Sequence, residues 1–223
     1  MKPKISLVIP AKGRSTRLRN KNLLKISGKS LARIACEKAL KCKNIDNVYL
    51  DTEDSRIAED CSDLFKEGLG LIKRPKELAT NFVGGNELMI YEVHSIPYCD
   101  IIIHHYCTTP LIKTQTIDGC IKAFVDVGDE YDSFFTVEEL REYLWDKRIS
   151  PMNFSPKELP NSQDLEVLYR ETHGLYGIKT SALLKYRTRL GEKPLPIPIS
   201  RLEAIDVNNE EDLEIVRRLT NGN

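Results

Sequence analysis

The segment Ile5-Ser6-Leu7-Val8-Ile9-Pro10, with the basic loop joined to its end, constrains the fold more than any other part of the chain. A short β-branched apolar run that stops at a proline reads as a strand buried on both faces. Directly after it come five cations within ten residues (Lys12, Arg14, Arg17, Arg19 and Lys21) beside Gly13 and Ser15. Ser30 to Cys42 then places Leu31, Ile34, Ala35 and Ala39 at helical spacing. A buried strand, a basic Gly/Ser loop and a helix predict the first unit of an open α/β sheet. The loop would lie at the carboxyl edge, where such sheets bind ligands.

The rest of the chain keeps that rhythm. Strands are predicted at Val48–Leu50, Gly70–Ile72, Asp100–Ile103, Asp132–Val137, Gly174–Ile178 and Leu195–Ile199. Helices are predicted at Ser55–Phe65, Glu87–Ile96, Thr116–Val125, Thr180–Arg187 and Asn209–Leu219. Alternation of this kind implies right-handed crossovers and a mostly parallel sheet covered on both faces, a single α/β domain over residues 1–223. Asn209 suits a helix cap, with Glu210, Glu211 and Asp212 in the first turn and Arg217 and Arg218 in the last. Between about Leu140 and Arg170 the rhythm breaks. That stretch carries Leu140, Tyr143, Leu144, Trp145, Met152 and Phe154 with no clean period and no obvious core of its own, and reads as a lid or a dimerisation arm.

Composition excludes several classes. The 33 basic and 33 acidic side chains cancel, so no global field draws the chain to nucleic acid or an anionic membrane. The first apolar run is too short for a signal peptide or a membrane span, which predicts a cytoplasmic protein. Six cysteines without a Cys-x-x-Cys pair read as reduced, buried small hydrophobes.

A charge cluster is ordinarily a solvated surface. Here the position after the first strand favours polyphosphate, with loop N–H groups and cations as donors. Two better-known nucleotide motifs fail. Gly28-Lys29-Ser30 lacks the upstream glycine of a P-loop, where Leu23 stands. Gly68-Leu69-Gly70 precedes a strand rather than opening a helix. His104 and His105 end a buried strand and read first as satisfied core histidines.

The run Ile9–Leu23, IPAKGRSTRLRNKNL, resembles the first motif of the acylneuraminate cytidylyltransferases. Four further segments keep that family's order: Lys73–Ala79, Thr108–Leu111, Arg170–Tyr176 and Ala204–Leu213. The resemblance spans about residues 5–219. It implies a Rossmann-like nucleotidyltransferase sheet, a homodimer, and transfer of CMP from CTP to an acidic sugar with Mg²⁺ as cofactor. The implied CTP-binding set is Ala11, Lys12, Gly13, Arg14, Ser15, Arg17, Lys21, Asn22, Arg74 and Thr108. Within it Lys12, Arg17 and Lys21 carry the catalytic charge. Tyr106, Glu171 and His173 take acceptor positions, and Asp206 with Asn208 takes the metal position.

Departures from the pattern fall mostly on the sugar side. Tyr106 replaces a glutamine that contacts the acyl sugar, and Ile112 replaces an arginine. On the nucleotide side Thr16 replaces a lysine and Asn208 an aspartate, a weaker ligand for a hard cation. Sugar-phosphate and molybdopterin nucleotidyltransferases share such a basic first loop and stay open as alternatives. So does a CTP-binding module without turnover, an idea that rests on Asn208.

Overall fold

The computed structural model describes residues 2–221. In chain order these form β1 (Ile5–Pro10), a small hairpin of β2 (Lys25–Ile26) and β3 (Lys29–Ser30), α1 (Leu31–Leu40), β4 (Asn47–Thr52), α2 (Ser55–Asp60), β5 (Leu69–Lys73) and α3 (Gly85–Ser95). Next come β6 (Ile101–His105), α4 (Thr114–Asp126), β7 (Ser133–Leu140), β8 (Leu168–Lys179), α5 (Thr180–Tyr186), β9 (Pro194–Pro198) and α6 (Glu210–Asn221). Seven strands make one sheet in the order β5-β4-β1-β6-β8-β7-β9. All pairs are parallel except those of β8, which runs against both β6 and β7. The mostly parallel α/β sheet expected from the alternation is therefore present, with one strand reversed.

Strand alternation sorts the core into two layers. Ile5, Leu7 and Ile9 of β1 join Ile101 and Ile103 of β6 beneath α1 and α4. Val8 and Ile102 point the other way, to Met89 of α3 and Leu183 of α5. Ser30 accepts the Arg33 N–H at 3.0 Å and caps α1, so Gly28-Lys29-Ser30 is a hairpin and a helix cap rather than a phosphate loop.

After β1 the chain builds β4 and β5 on one side and returns to β6 on the other. The carboxyl ends of β1, β4 and β6 consequently meet at the point where strand order reverses, the ordinary ligand crevice of such a sheet.

Three expectations change. The helix predicted over Ser55–Phe65 stops at Asp60 and tightens into a 3-10 turn, Ser62–Glu67. The excursion is shorter than 140–170, because Leu168–Arg170 already pair with Glu138–Leu140. It also has packing of its own. Phe154 lies edge-on between Tyr143 and Trp145, with ring centroids at 4.9 and 5.2 Å. Arg141 donates to the Gln163 and Leu165 carbonyls, and Asn153 joins the Glu142 carbonyl to the Leu144 N–H. The segment is an ordered arm closing the β7–β8 hairpin.

Candidate active site

At the carboxyl edge of the sheet opens a cleft of about 430 Å³. Lys12, Ser15, Arg17, Lys21 and Asn22 line it from the loop after β1. Arg74 enters from β5, Tyr106 and Thr108 follow β6, His173 lies on β8, and Asp206 and Asn208 precede α6. Residues almost 190 positions apart are tied directly: Lys21 Nζ donates to the Val207 carbonyl at 2.8 Å. Burial lowers the pKa of Lys21, and the nearby Asp206 carboxylate opposes that shift. Burial, then Arg74, does the same to Lys12, whose Nζ donates to Asn81 Oδ1 at 2.7 Å.

Ala11, Gly13, Arg14 and Glu171 of the expected set are not among the residues that line the cleft. Ala11 is fully buried. Gly13 presses on Asp54 so closely that a Cβ would lie 2.2 Å from Oδ2, and its N–H donates to Glu53 Oε1 at 2.8 Å. That N–H is occupied by a carboxylate rather than offered to a phosphate. Arg14 faces solvent and lines no part of the cleft, because the loop is anchored inward on either side of it. Asn22 spends its amide on the loop: Nδ2 donates to the Lys12 carbonyl at 2.8 Å, and Oδ1 accepts from Cys107 Sγ at 3.1 Å. Glu171 sits behind the lining and accepts from the Tyr176 hydroxyl.

Asp206 keeps one of its two carboxylate oxygens unpaired. Its Oδ2 accepts from Asn208 Nδ2 at 2.7 Å, while Oδ1 is buried without a hydrogen-bond partner among the described residues. A buried carboxylate oxygen left unpartnered costs free energy that a cation would offset. Capping of α6 falls to other residues. Asn209 Oδ1 accepts the Asp212 N–H at 2.9 Å, and Asp212 Oδ2 accepts the Asn208 and Asn209 N–H groups at 2.8 and 3.2 Å.

Behind the cleft lies a buried polar network that the sequence did not disclose. Arg74 donates through Nε and Nη2 to Asp51 Oδ2 at 2.9 and 2.6 Å. Glu92 of α3 contacts His104 Nε2, and His104 Nδ1 lies 3.3 Å from the Tyr106 hydroxyl. Burial pushes both the Asp51 and Glu92 carboxyls up to about 7, and the Arg74 guanidinium opposes that shift in each. Burial also pushes His104 down to about 3. The paired His104 fits the expectation of a satisfied core histidine. His105 does not: neither ring nitrogen has a partner among the described residues.

Arg189 is the second feature missed. It reaches the cleft from the α5–β9 connection, donates to the Tyr106 hydroxyl at 3.0 Å and stacks 3.7 Å above the Tyr176 ring. His173 beside it holds a positive φ of 55°, a conformation that ordinary side chains adopt at a cost of order 1 kcal/mol.

The family description "Cytidylyltransferase" matches residues 6–199. The chain belongs to the cytidylyltransferase family. Among its relatives, the 3-deoxy-manno-octulosonate cytidylyltransferase of Thermodesulfovibrio yellowstonii is 25% identical over 96% of this chain and 86% of its own length. The enzyme of the same name from Chloroherpeton thalassium is 26% identical over 98% and 86%. A solved CMP:2-keto-3-deoxy-manno-octonic acid synthetase, complexed with CTP, superposes with a TM-score of 0.70 at 18% identity, covering 98% of this chain and 99% of the other. The 4-diphosphocytidyl-2C-methyl-D-erythritol synthase of Anaerococcus prevotii superposes at 0.67 and 14% identity, covering 97% and 96%. The two structures share the fold of this cytidylyltransferase. Its CTP-dependent nucleotidyl transfer follows from the family, whereas both sequence relatives carry the name of an octulosonate rather than of an acylneuraminate.

Proposed function

We propose that this cytidylyltransferase moves CMP from CTP to an acidic keto-sugar in the presence of Mg²⁺. The observation that carries the reading is one cleft that presents the cations Lys12, Arg17 and Lys21 and, close to Lys21, the unpartnered buried oxygen of Asp206. A triphosphate with a hard cation complements both. Asp206, with the side-chain oxygen of Asn208, would hold Mg²⁺, which when bound neutralises phosphate charge.

The chain's own residues do the rest. Lys12, Ser15, Arg17 and Lys21 hold the triphosphate, and Arg74 reaches the nucleoside end. Tyr106 and His173 position the acceptor so that its anomeric oxygen lies in line with the α-phosphorus. The O–P bond forms as the α–β bridging P–O bond breaks. Pyrophosphate departs on the side of the lysines, and the hydroxyl proton leaves to solvent. Displacing the Lys12–Asn81 bond frees the Lys12 ammonium for phosphate.

The acceptor class rests on the family resemblance and on the octulosonate relatives. Eight-carbon 3-deoxy-octulosonate and nine-carbon nonulosonic acids such as sialic acid are the two candidates. Pyrophosphate release with CTP, GTP, ATP or UTP against both acids is the test. The expected result is CTP-specific release with one of them; equal turnover with GTP, or CTP binding without turnover, would overturn the reading.

A further inference from the structure

We propose that Arg189, together with Tyr106, is the specificity determinant for a carboxylate on the acceptor. The inference rests on the cytidylyltransferase reading of the cleft and assigns its anion-recognising end. Arg189 belongs to none of the segments that carry the family resemblance.

The local geometry is that of a cation held ready rather than one spent on structure. Arg189 is anchored at its backbone, where its N–H donates to Asn86 Oδ1 of α3 at 3.1 Å. One face of the guanidinium is covered by Tyr176, which fixes its plane. Its hydrogen bonds to the protein are to the Tyr106 hydroxyl at 3.0 Å and, loosely, to Glu171 at 3.4 Å. A guanidinium offers five N–H donors, so most of its capacity is left for the cleft that it lines.

Gly85 shows that this place is kept open for the pair. A Cβ there would meet Arg189 Nη1 at 2.6 Å and the Tyr106 hydroxyl at 2.9 Å. Gly85 also opens α3, whose first N–H groups have no partner inside the helix and carry positive partial charge. Carboxylates near this pair are Glu87 in the first turn of α3 and Glu171, which contacts Arg189 only at 3.4 Å. Behind Tyr106 the buried Glu92–His104 pair holds the hydroxyl in place. The phosphate end is a different surface, since Lys12, Ser15, Arg17 and Lys21 come from the loop after β1, and no hydrogen bond joins Arg189 to them among the described residues. A carboxylate matches the planar fork of an arginine, and a sugar acid supplies one.

The experiment compares parent, Arg189→Leu, Arg189→Lys and Tyr106→Phe, with 3-deoxy-manno-octulosonate, N-acetylneuraminate and the methyl ester of each as acceptors. The parent should prefer the acid to its ester. Arg189→Leu should raise the acceptor KM by more than ~10-fold, the scale of a lost charge-assisted bond, and erase the acid–ester preference. The CTP KM should stay within about twofold of the parent's. Arg189→Lys should recover part of the preference, and Tyr106→Phe should raise the acceptor KM by a few-fold, roughly the loss of one neutral hydrogen bond. The proposal is overturned if the acid–ester preference survives in Arg189→Leu, or if the CTP KM rises in place of the acceptor KM. Should Arg189→Leu melt well below the parent, the Lys and Phe variants decide by the same split. Absence of turnover by the parent with every acid would instead sink the cytidylyltransferase reading and this proposal with it.

Discussion

Asp206 and Asn209 lie three positions apart on one connection and do different work. Because Asn209 and Asp212 satisfy the first turn of α6, the Asp206 carboxylate is free of any capping duty. Asp206→Ala should abolish Mg²⁺-dependent pyrophosphate release at an unchanged melting temperature, while Asn209→Ala should cost ~1 kcal/mol of stability and leave turnover near the parent's. Both variants measured side by side decide it, and an active, less stable Asp206→Ala would reverse the assignment. Lys21 carries a second prediction. Its replacement by alanine should lower kcat/KM by more than ~10-fold through loss of a charge-assisted phosphate contact, with the exposed Lys2→Ala as the control that does nothing. His105 carries a third. Burial, then the neighbouring Lys38 charge, holds its pKa at about 3, against an ordinary value near 6.5. As pH falls from ~6.5 toward 3 the unfolded chain takes up a proton that the folded state refuses, so stability is lost on the acid side. His105→Leu should remove that loss and shift the midpoint of acid unfolding to lower pH, without reducing stability at pH 7. An unchanged acid midpoint in circular dichroism would refute it.

The elements that follow a simple period were legible from residues alone. In β1 and β6 the alternation of Ile, Leu and Val matches the two core layers, and in α1 the buried Leu31, Ala35 and Ala39 follow the turn of the helix. Where local preference and long-range pairing disagree, pairing wins. Leu168–Arg170 carry no strand signal on their own, yet they sit opposite Leu140, Glu139 and Glu138 and extend β8. The reversal of β8 has the same origin, since the ordered arm after β7 returns the chain as a hairpin where a helical crossover would have kept it parallel. Gly177 fixes that hairpin closely: a Cβ there would lie 2.0 Å from Phe134 Cε1. Gly177→Ala should destabilise the fold by ~1–3 kcal/mol in urea titration, the usual range for overpacking a core.

At the scale of the molecule, the arm leaves Trp145 49% and Met152 62% exposed, with Tyr143, Ile149 and Leu159 also open to solvent. Apolar side chains gathered on one projection are what a symmetric partner surface requires. We expect a dimer in light scattering of the parent and a monomer for Trp145→Asp with Met152→Asp; a monomeric parent at all concentrations would end this reading. No helix among the described residues is long and apolar enough to cross a membrane.

Taken alone, the sequence determined what is written within a short window. It specified the buried first strand, the basic loop directly after it, the Asn209 cap of the last helix, the motif order that placed the chain among cytidylyltransferases, and Asp206 ahead of that helix. Those features depend on periodicity and on neighbours a few residues away, which a linear reading can test. Tertiary structure alone decided that Gly13 gives its N–H to Glu53, that Arg14 faces away, and that Asp51, Arg74, Glu92 and His104 share one buried network. It also decided that Arg189 meets Tyr106 across 83 positions of chain. Each of these depends on which donor finds which acceptor once the strands have paired. Burial sets the strength of such a contact, and burial exists only in the folded molecule.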